Sequence, residues 1–195
     1  MHALGNFIAD DVKGKNWQQY PEEIQNGILL HRAIDTFTDS HPIFKKHVTF
    51  LFPDYRHYSR VIVDMYFDHF LAVHWNRFHP HLLADFAQQF YHSLEKHQTL
   101  LPEVYTKRIV VIKRENWLLE YGQLEGLKKI LGQMEKRTRF PSRLSESVKE
   151  LALHYNSLEV DFFAFFESLC LFCKNHPKGG NYLELLYFDS INSES

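Results

Sequence analysis

The chain has 195 residues, 45% of them hydrophobic and 15% aromatic, with 17 Phe and 10 Tyr. That is enough apolar material for one core, and it excludes an intrinsically disordered chain. The 22 basic and 24 acidic residues leave a formal charge of -2, so overall charge gives no reason to expect nucleic-acid binding.

Eight Gly and seven Pro are few for this length. Long helices with sparse turns are therefore expected, an all-α single-domain helical bundle rather than many short strands. The N-terminus lacks a charged-then-apolar leader, and nothing approaches ~18 uninterrupted apolar residues. The expectation is a cytoplasmic protein with no membrane partner.

Taken in order, Gly5-Asn6 reads as a turn or cap, followed by a short helix carrying Asp10 and Asp11 that Gly14 ends. Pro21 opens the next helix, with Glu22 and Glu23 at its favourable N-terminal pole. Ile24, Ile28, Leu29 and Ile34 give it an apolar stripe through His31 to about Phe37. Asp39-Ser40-His41-Pro42 is a stop followed by a new start, because the residue before Pro disfavours the helix. A short amphipathic helix over 43–52 is broken by Pro53-Asp54. The segment from Arg60 to Trp75 is apolar on nearly every side, which predicts a buried helix.

His79-Pro80-His81 is a turn. A helix from about Leu82 to Gln98 carries Phe86, Phe90, Tyr91 and Leu94 at helical spacing. Val104 to Leu119 is one or two more helices. Its run Ile109-Val110-Val111-Ile112 is read as helix, because a lone strand has no partner. Gly122 to Met134 holds another. From Ser142 as N-cap, a stripe of Leu144, Val148, Leu151, Tyr155, Leu158, Phe162 and Phe165 runs as one helix to about Lys174. Pro177-Lys178-Gly179-Gly180 ends it, giving a helical domain over 1–178 and a loosely attached tail over 179–195. Cys170 and Cys173 lie in an apolar helical run with no second Cys pair, so they read as core thiols rather than half a zinc site.

Two stretches carry chemistry. In helical register His31, Asp35 and Asp39 share one face, and so do Arg60, Asp64 and Asp68, with His69 beside them. Carboxylates on an otherwise apolar helix must find cations. Arg60 serves one of them, and a divalent metal shared with His31 and Asp35 would serve the rest and support hydrolytic chemistry. Blander readings stand beside this one. Asp64 with Arg60 is also what a helix ion pair looks like, Asp39 is also a cap for the next helix, His69 a satisfied core histidine, and Asp10 a first-turn acid.

Gly5-Asn6, Ala9-Asp10, Lys13-Gly14, Gly27-Ile28, His31-Arg32, Ile34-Asp35, Thr38-Asp39, Asp64, Asp68-His69-Phe70-Leu71 and Trp75 together resemble the acyl carrier protein phosphodiesterase family. The likeness extends more weakly through Leu118 and His154-Tyr155. It implies an all-helical fold related to the HD-type metal-dependent phosphohydrolases. The implied activity removes 4′-phosphopantetheine from holo-acyl carrier protein with Mn²⁺, Mg²⁺ or another divalent cation. Family members carry a further stretch with a histidine ahead of the Gly-Asn motif. Here the chain begins close to Gly5, and His2 is the nearest stand-in.

On that resemblance His31, Asp35, Asp64, Asp68 and then Asp10 are the expected metal ligands, since carboxylates with imidazole suit Mn²⁺ or Mg²⁺. His69 and Asp39 are candidates for proton transfer to the departing serine oxygen, and Arg32 and Arg60 for holding phosphate oxygens. Lys128, Lys129, Lys136, Arg137, Arg139 and Arg143 form either a solvated face or a docking surface for acyl carrier protein, which is small, helical and strongly acidic. Lys13, Lys15, Lys45 and Lys46 would join it if the fold brings them near the metal. Two other readings are an HD-type phosphohydrolase acting on a nucleotide or small phosphoester, and an inactive helical module that only binds acyl carrier protein.

Overall fold

The computed structural model describes residues 1–179, and among them every regular element is a helix. The expected all-α class is what is found. The tail expected beyond Gly179 lies outside the described residues. In chain order the helices are α1 (His2–Ile8), α2 (Glu22–Ser40), α3 (Pro42–Tyr55), α4 (Ser59–Val73), α5 (Leu83–Lys96), α6 (Val104–Glu115), α7 (Trp117–Glu120), α8 (Leu124–Glu135), α9 (Val148–Leu153) and α10 (Tyr155–Asn175). Short 3₁₀ turns link them, including Ala9–Asp11, Arg56–Tyr58 and Leu144–Ser147.

The buried apolar residues form two groups. One joins α1, the start of α2, α5 and α6 through Leu4, Ile8, Ile24, Ile28, Tyr91 and Tyr105. The other joins α3, α4, α8, α9 and α10 through Phe44, Ile62, Phe67, Phe70, Leu127 and Phe162. Helix α2 belongs to both: Ile24 and Ile28 enter the first, while Phe37 packs on the second. Between them lies the polar stretch from His31 to Thr36. The seam between two cores is therefore where α2 shows its titratable residues.

Several boundaries differ from the sequence reading. Gly5-Asn6 is not a turn: α1 runs straight through it. Gly5 is there for close approach instead. A Cβ on Gly5 would stand 2.1 Å from the Ile24 carbonyl oxygen, and one on Gly27 would stand 2.1 Å from that of His2. The two glycines let α1 and α2 touch backbone to backbone. Gly14 does not end the segment carrying Asp10 and Asp11, which stops at Asp11 with Val12 as its cap; it takes φ +56° in the turn beyond.

Pro53 does not stop α3, which continues to Tyr55 and ends at Arg56 with φ 52°. The single helix expected from Ser142 to Lys174 is divided at His154. Ser142 is no cap but a buried hydroxyl 3.3 Å from that of Thr138. Helix α4 is buried on the side of Ile62, Val63, Tyr66, Phe67 and Phe70, yet Asp64 is exposed and Asp68 half-buried, so it is not sheathed all round. The break between α6 and α7 falls at Asn116, in the left-handed conformation Asn tolerates. Cys170 and Cys173 are buried in α10, and burial pushes the Cys173 thiol up to about 11, as suits a core thiol.

Two outcomes follow from this packing. Gly27→Ala forces α1 off α2 and should lower stability by about 2 kcal/mol or more in urea denaturation; an unchanged midpoint would refute the close crossing. The second concerns His47, which is buried against Asp161, Nε2 to Oδ2 2.8 Å. Desolvation lowers its pKa below 6.5, although Asp161 pulls the other way. The unfolded chain thus takes up this proton first, and stability is lost as pH falls below 6.5 toward the folded value. Melting temperature in His47→Gln should decline less over that window than in the wild type.

Candidate metal centre

The close crossing of α1 on α2 continues into the 3₁₀ turn Ala9–Asp11. Its two acids diverge. Asp11 accepts from Tyr105 Oη at 2.8 Å and pairs with Arg108, which fastens the turn to α6. Asp10 points back to α2, where His31 Nε2 stands 3.3 Å from both Asp10 Oδ1 and Asp35 Oδ2. Donor atoms of Asp10, His31 and Asp35 all lie within 4.8 Å of one another, a convergence able to hold a metal ion.

The other ring nitrogen, His31 Nδ1, donates to Asn6 Oδ1 at 3.3 Å. That hydrogen bond fixes which face of the imidazole meets the carboxylates and, in the neutral ring, leaves the Nε2 lone pair for a cation. Burial works against the charged form of His31. The hydrogen bonds and fields of Asp10 and Asp35 outweigh it and raise the group to about 9. The His31 hydrogen bond in turn holds Asp10 below the usual carboxylate range. The centre is open, with 82% of the Asp10 side chain and 56% of the Asp35 side chain exposed, so a bulky substrate can reach it.

The carboxylates of α4 stand across from this group. Although the Asp64 side chain reaches the surface, packing around its carboxyl and then the fields of Asp68, Asp35 and Asp10 push it above the usual carboxylate range, with Arg60 opposing them. Asp68 is raised by desolvation. Neither joins the three-residue convergence, so the expected ligand set divides: Asp10, His31 and Asp35 come together, while Asp64 forms an opposite bank coupled to Asp35 and Asp10 through their fields, and Asp68 couples to Asp64. Carboxylates with an imidazole are the donor chemistry that Mn²⁺ or Mg²⁺ takes.

The remaining expected residues sit elsewhere. Arg32 donates to the Gly14 and Val12 carbonyl oxygens at 2.9 and 2.6 Å. It straps the loop after Asp10 to α2 and has its guanidinium committed to backbone. Arg60 pairs with Asp39, not with Asp64, and lies over the Phe44 ring. Asp39 does not cap α3; His41 does, its Nδ1 accepting from the Ile43 amide. His69 is buried with Nδ1 2.7 Å from the Tyr121 carbonyl oxygen and Nε2 2.9 Å from Tyr155 Oη. With both nitrogens engaged, it is the satisfied core histidine of the blander reading. His2 is buried in the first turn of α1, its Nε2 3.2 Å from the Lys178 carbonyl oxygen, away from the centre.

A sequence profile described as acyl carrier protein phosphodiesterase matches residues 1–169. The chain belongs to the acyl carrier protein phosphodiesterase family. A relative of that name from Yersinia pestis is 34% identical over 167 residues, covering 85% of this chain and 86% of its own. One from Yersinia enterocolitica is 31% identical over 167 residues, with the same coverage. One from Photorhabdus laumondii is 30% identical over 164 residues, covering 84% and 83%. No solved structure matches the chain.

Within this phosphodiesterase-family chain the residue that sequence reasoning missed is Asn6. Its position was visible in the Gly-Asn motif, but read as a turn it had no side-chain task. The signal was the second glycine: Gly5 and Gly27 in two helix-competent stretches mark a crossing, and a crossing there carries Asn6 onto the turn of α2 below His31. Asn6→Ala should weaken Mn²⁺ binding about 10- to 100-fold in calorimetry while leaving the fold intact. Undiminished affinity would show that His31 needs no such support.

Proposed function

We propose that this protein is a metal-dependent phosphodiesterase that converts holo-acyl carrier protein to the apo form and free 4′-phosphopantetheine. The substrate assignment rests on the family and on relatives named for that activity. The metal-dependent part rests on one observation, the convergence of Asp10, His31 and Asp35 at the seam between the two cores. The donor set fits a hard divalent cation, and Mn²⁺ or Mg²⁺ is the cofactor in this reading.

The chemistry is hydrolysis: water adds to phosphorus, the bond between phosphorus and the serine oxygen of the carrier breaks, and the proton from water ends on that serine. A divalent cation in this centre supplies charge neutralisation on the phosphoryl oxygens and a more acidic water. The residues of the chain hold and orient. Asp10, Asp35 and His31 supply the converging donors, Asn6 fixes the imidazole, and Arg32 keeps the loop carrying Asp10 against α2. Asp64 lines the opposite bank. Arg60, balanced by Asp39, is the cation at the edge of the centre and the residue placed to meet a phosphate oxygen. The exposure of Asp10 and Asp35 suits a protein substrate that brings its own bulk to the site.

Lys128, Lys136, Arg137, Arg139 and Arg143 are exposed, consistent with docking of an acidic carrier. Lys129 is partly spent on Glu115, at 2.8 Å, and Lys46 on Asp161. No helix of the described residues is long and apolar enough to cross a membrane.

Incubation of holo-acyl carrier protein with the protein and Mn²⁺ should lower the carrier mass by that of one 4′-phosphopantetheine in mass spectrometry. His31→Ala and Asp35→Asn should each cut the rate by more than about 100-fold, since removing a ligand costs more than removing its support. An unchanged carrier mass with the wild type rejects the reading.

A further inference from the structure

Where α3 ends, the 3₁₀ turn Arg56–Tyr58 faces the 140–143 segment that follows α8. Tyr58 Oη donates to the Phe140 carbonyl oxygen at 3.3 Å, and Arg143 Nη2 donates to that of Asp54 at 2.9 Å. Between the two segments is a cleft of about 360 Å³. Its walls are cationic and aromatic. On the lining, the Arg143 guanidinium stands 5.7 Å above the Tyr55 ring, and Phe140 is 64% exposed. Just outside it, Arg56 reaches 5.9 Å over Phe52 and Arg139 stands 5.5 Å over Phe140. Asp54 is the carboxylate among the lining residues, and His57 adds a further basic group.

The backbone adds a second observation. Among the described residues three that are not glycine have positive φ, and two of them, Arg56 (φ 52°) and Arg143 (φ 48°), line this cleft. Arginine has no preference for that conformation, which Gly or Asn adopts more easily. Strain of this kind collects where a side chain is held for a task.

We propose that this cleft is the docking site for an acidic helix of acyl carrier protein, an inference that rests on the hydrolase reading above. Arginine and aromatic side chains in a partly enclosed cleft are the usual anchors of a protein interface. Their charge here complements a strongly acidic helical partner. The placement suits the reaction. Asp64 lies five residues beyond the start of α4 at Ser59, roughly 8 Å along the axis. A standard interface of roughly 800 Å² per partner has a radius near 16 Å. A carrier held at the cleft therefore spans the turn of α4 that carries Asp64, the acid coupled to Asp35 and Asp10 through their fields. The site differs from the basic run read in the sequence: of that run only Arg143 lines it, and it recruits Arg56 and His57 from the distant α3 end.

The test uses Arg56→Gly and Arg143→Gly, which relieve the backbone while removing the guanidinium. Both should melt no lower than the wild type and bind Mn²⁺ equally well. The KM for holo-acyl carrier protein should rise about tenfold with kcat unchanged, and the salt dependence of KM should become shallower. Affinity for apo-acyl carrier protein, measured by calorimetry, should fall by the same factor. Equal affinity in wild type and both variants overturns the docking site. A wild type that binds the carrier but releases no 4′-phosphopantetheine overturns the hydrolase reading and leaves the docking result to stand on the binding data.

Discussion

A side chain on residue 27 has nowhere to go while α1 lies where it does. The Cβ position of Gly27 is filled by the backbone of His2 and Asn6, and that of Gly5 by the backbone of Ile24. This contact sets the distance between two helices to the minimum that backbones permit. Everything polar on the seam depends on that spacing. Asn6 reaches His31 because nothing separates the helices, and the 3₁₀ turn after α1 then delivers Asp10 to the far side of the same imidazole. A few tenths of an ångström at the crossing are amplified down α1, and the convergence of Asp10, His31 and Asp35 has little slack.

The division into two apolar groups gives the centre its location. Among the described residues α2 is the one helix shared by both, and a helix bridging two cores cannot bury its middle on each side at once. The residues between Ile28 and Phe37 are therefore free to be polar. The acids on neighbouring elements fare differently: desolvation pushes up Asp64 and Asp68 on α4, while Asp10, hydrogen-bonded to His31, is held down. Supporting groups are drawn off to backbone: Arg32 to the loop after Asp10, His69 to the Tyr121 carbonyl. Spare arginines around a candidate cation centre would repel an ion; here Arg32 is committed to backbone and Arg60 is balanced by Asp39, while Lys13 stays beside Asp10.

In the proposed reading, docking and chemistry are separate devices on α4. Its N-terminal end borders the arginine and aromatic cleft, and its next turn carries Asp64. Encounter with an acidic carrier is governed by long-range charge, whereas phosphodiester cleavage is governed by the short-range arrangement of donors. Placing the two on successive turns of α4 would let the positive cleft attract the carrier without competing with a cation for the carboxylates.

Periodicity and proline placement alone determined that this chain is helical, that α2 starts just after Pro21 and ends before Pro42, that His31, Asp35 and Asp39 share one face, and that Asp64 and Asp68 share a face of their own helix. These are local facts, fixed by side-chain spacing within one element. What only the tertiary structure decided is who meets whom. Asn6 became a partner of His31, Arg60 went to Asp39, His69 turned into the core, and Arg56 joined Arg143 from a segment some 90 residues away. Helix continuity through Pro53 and the break at His154 were likewise set by packing. The reason is that hydrogen-bond and ion-pair choices among several equally spaced candidates depend on the rotation and separation of helices, and here a glycine-to-glycine contact between distant segments sets both.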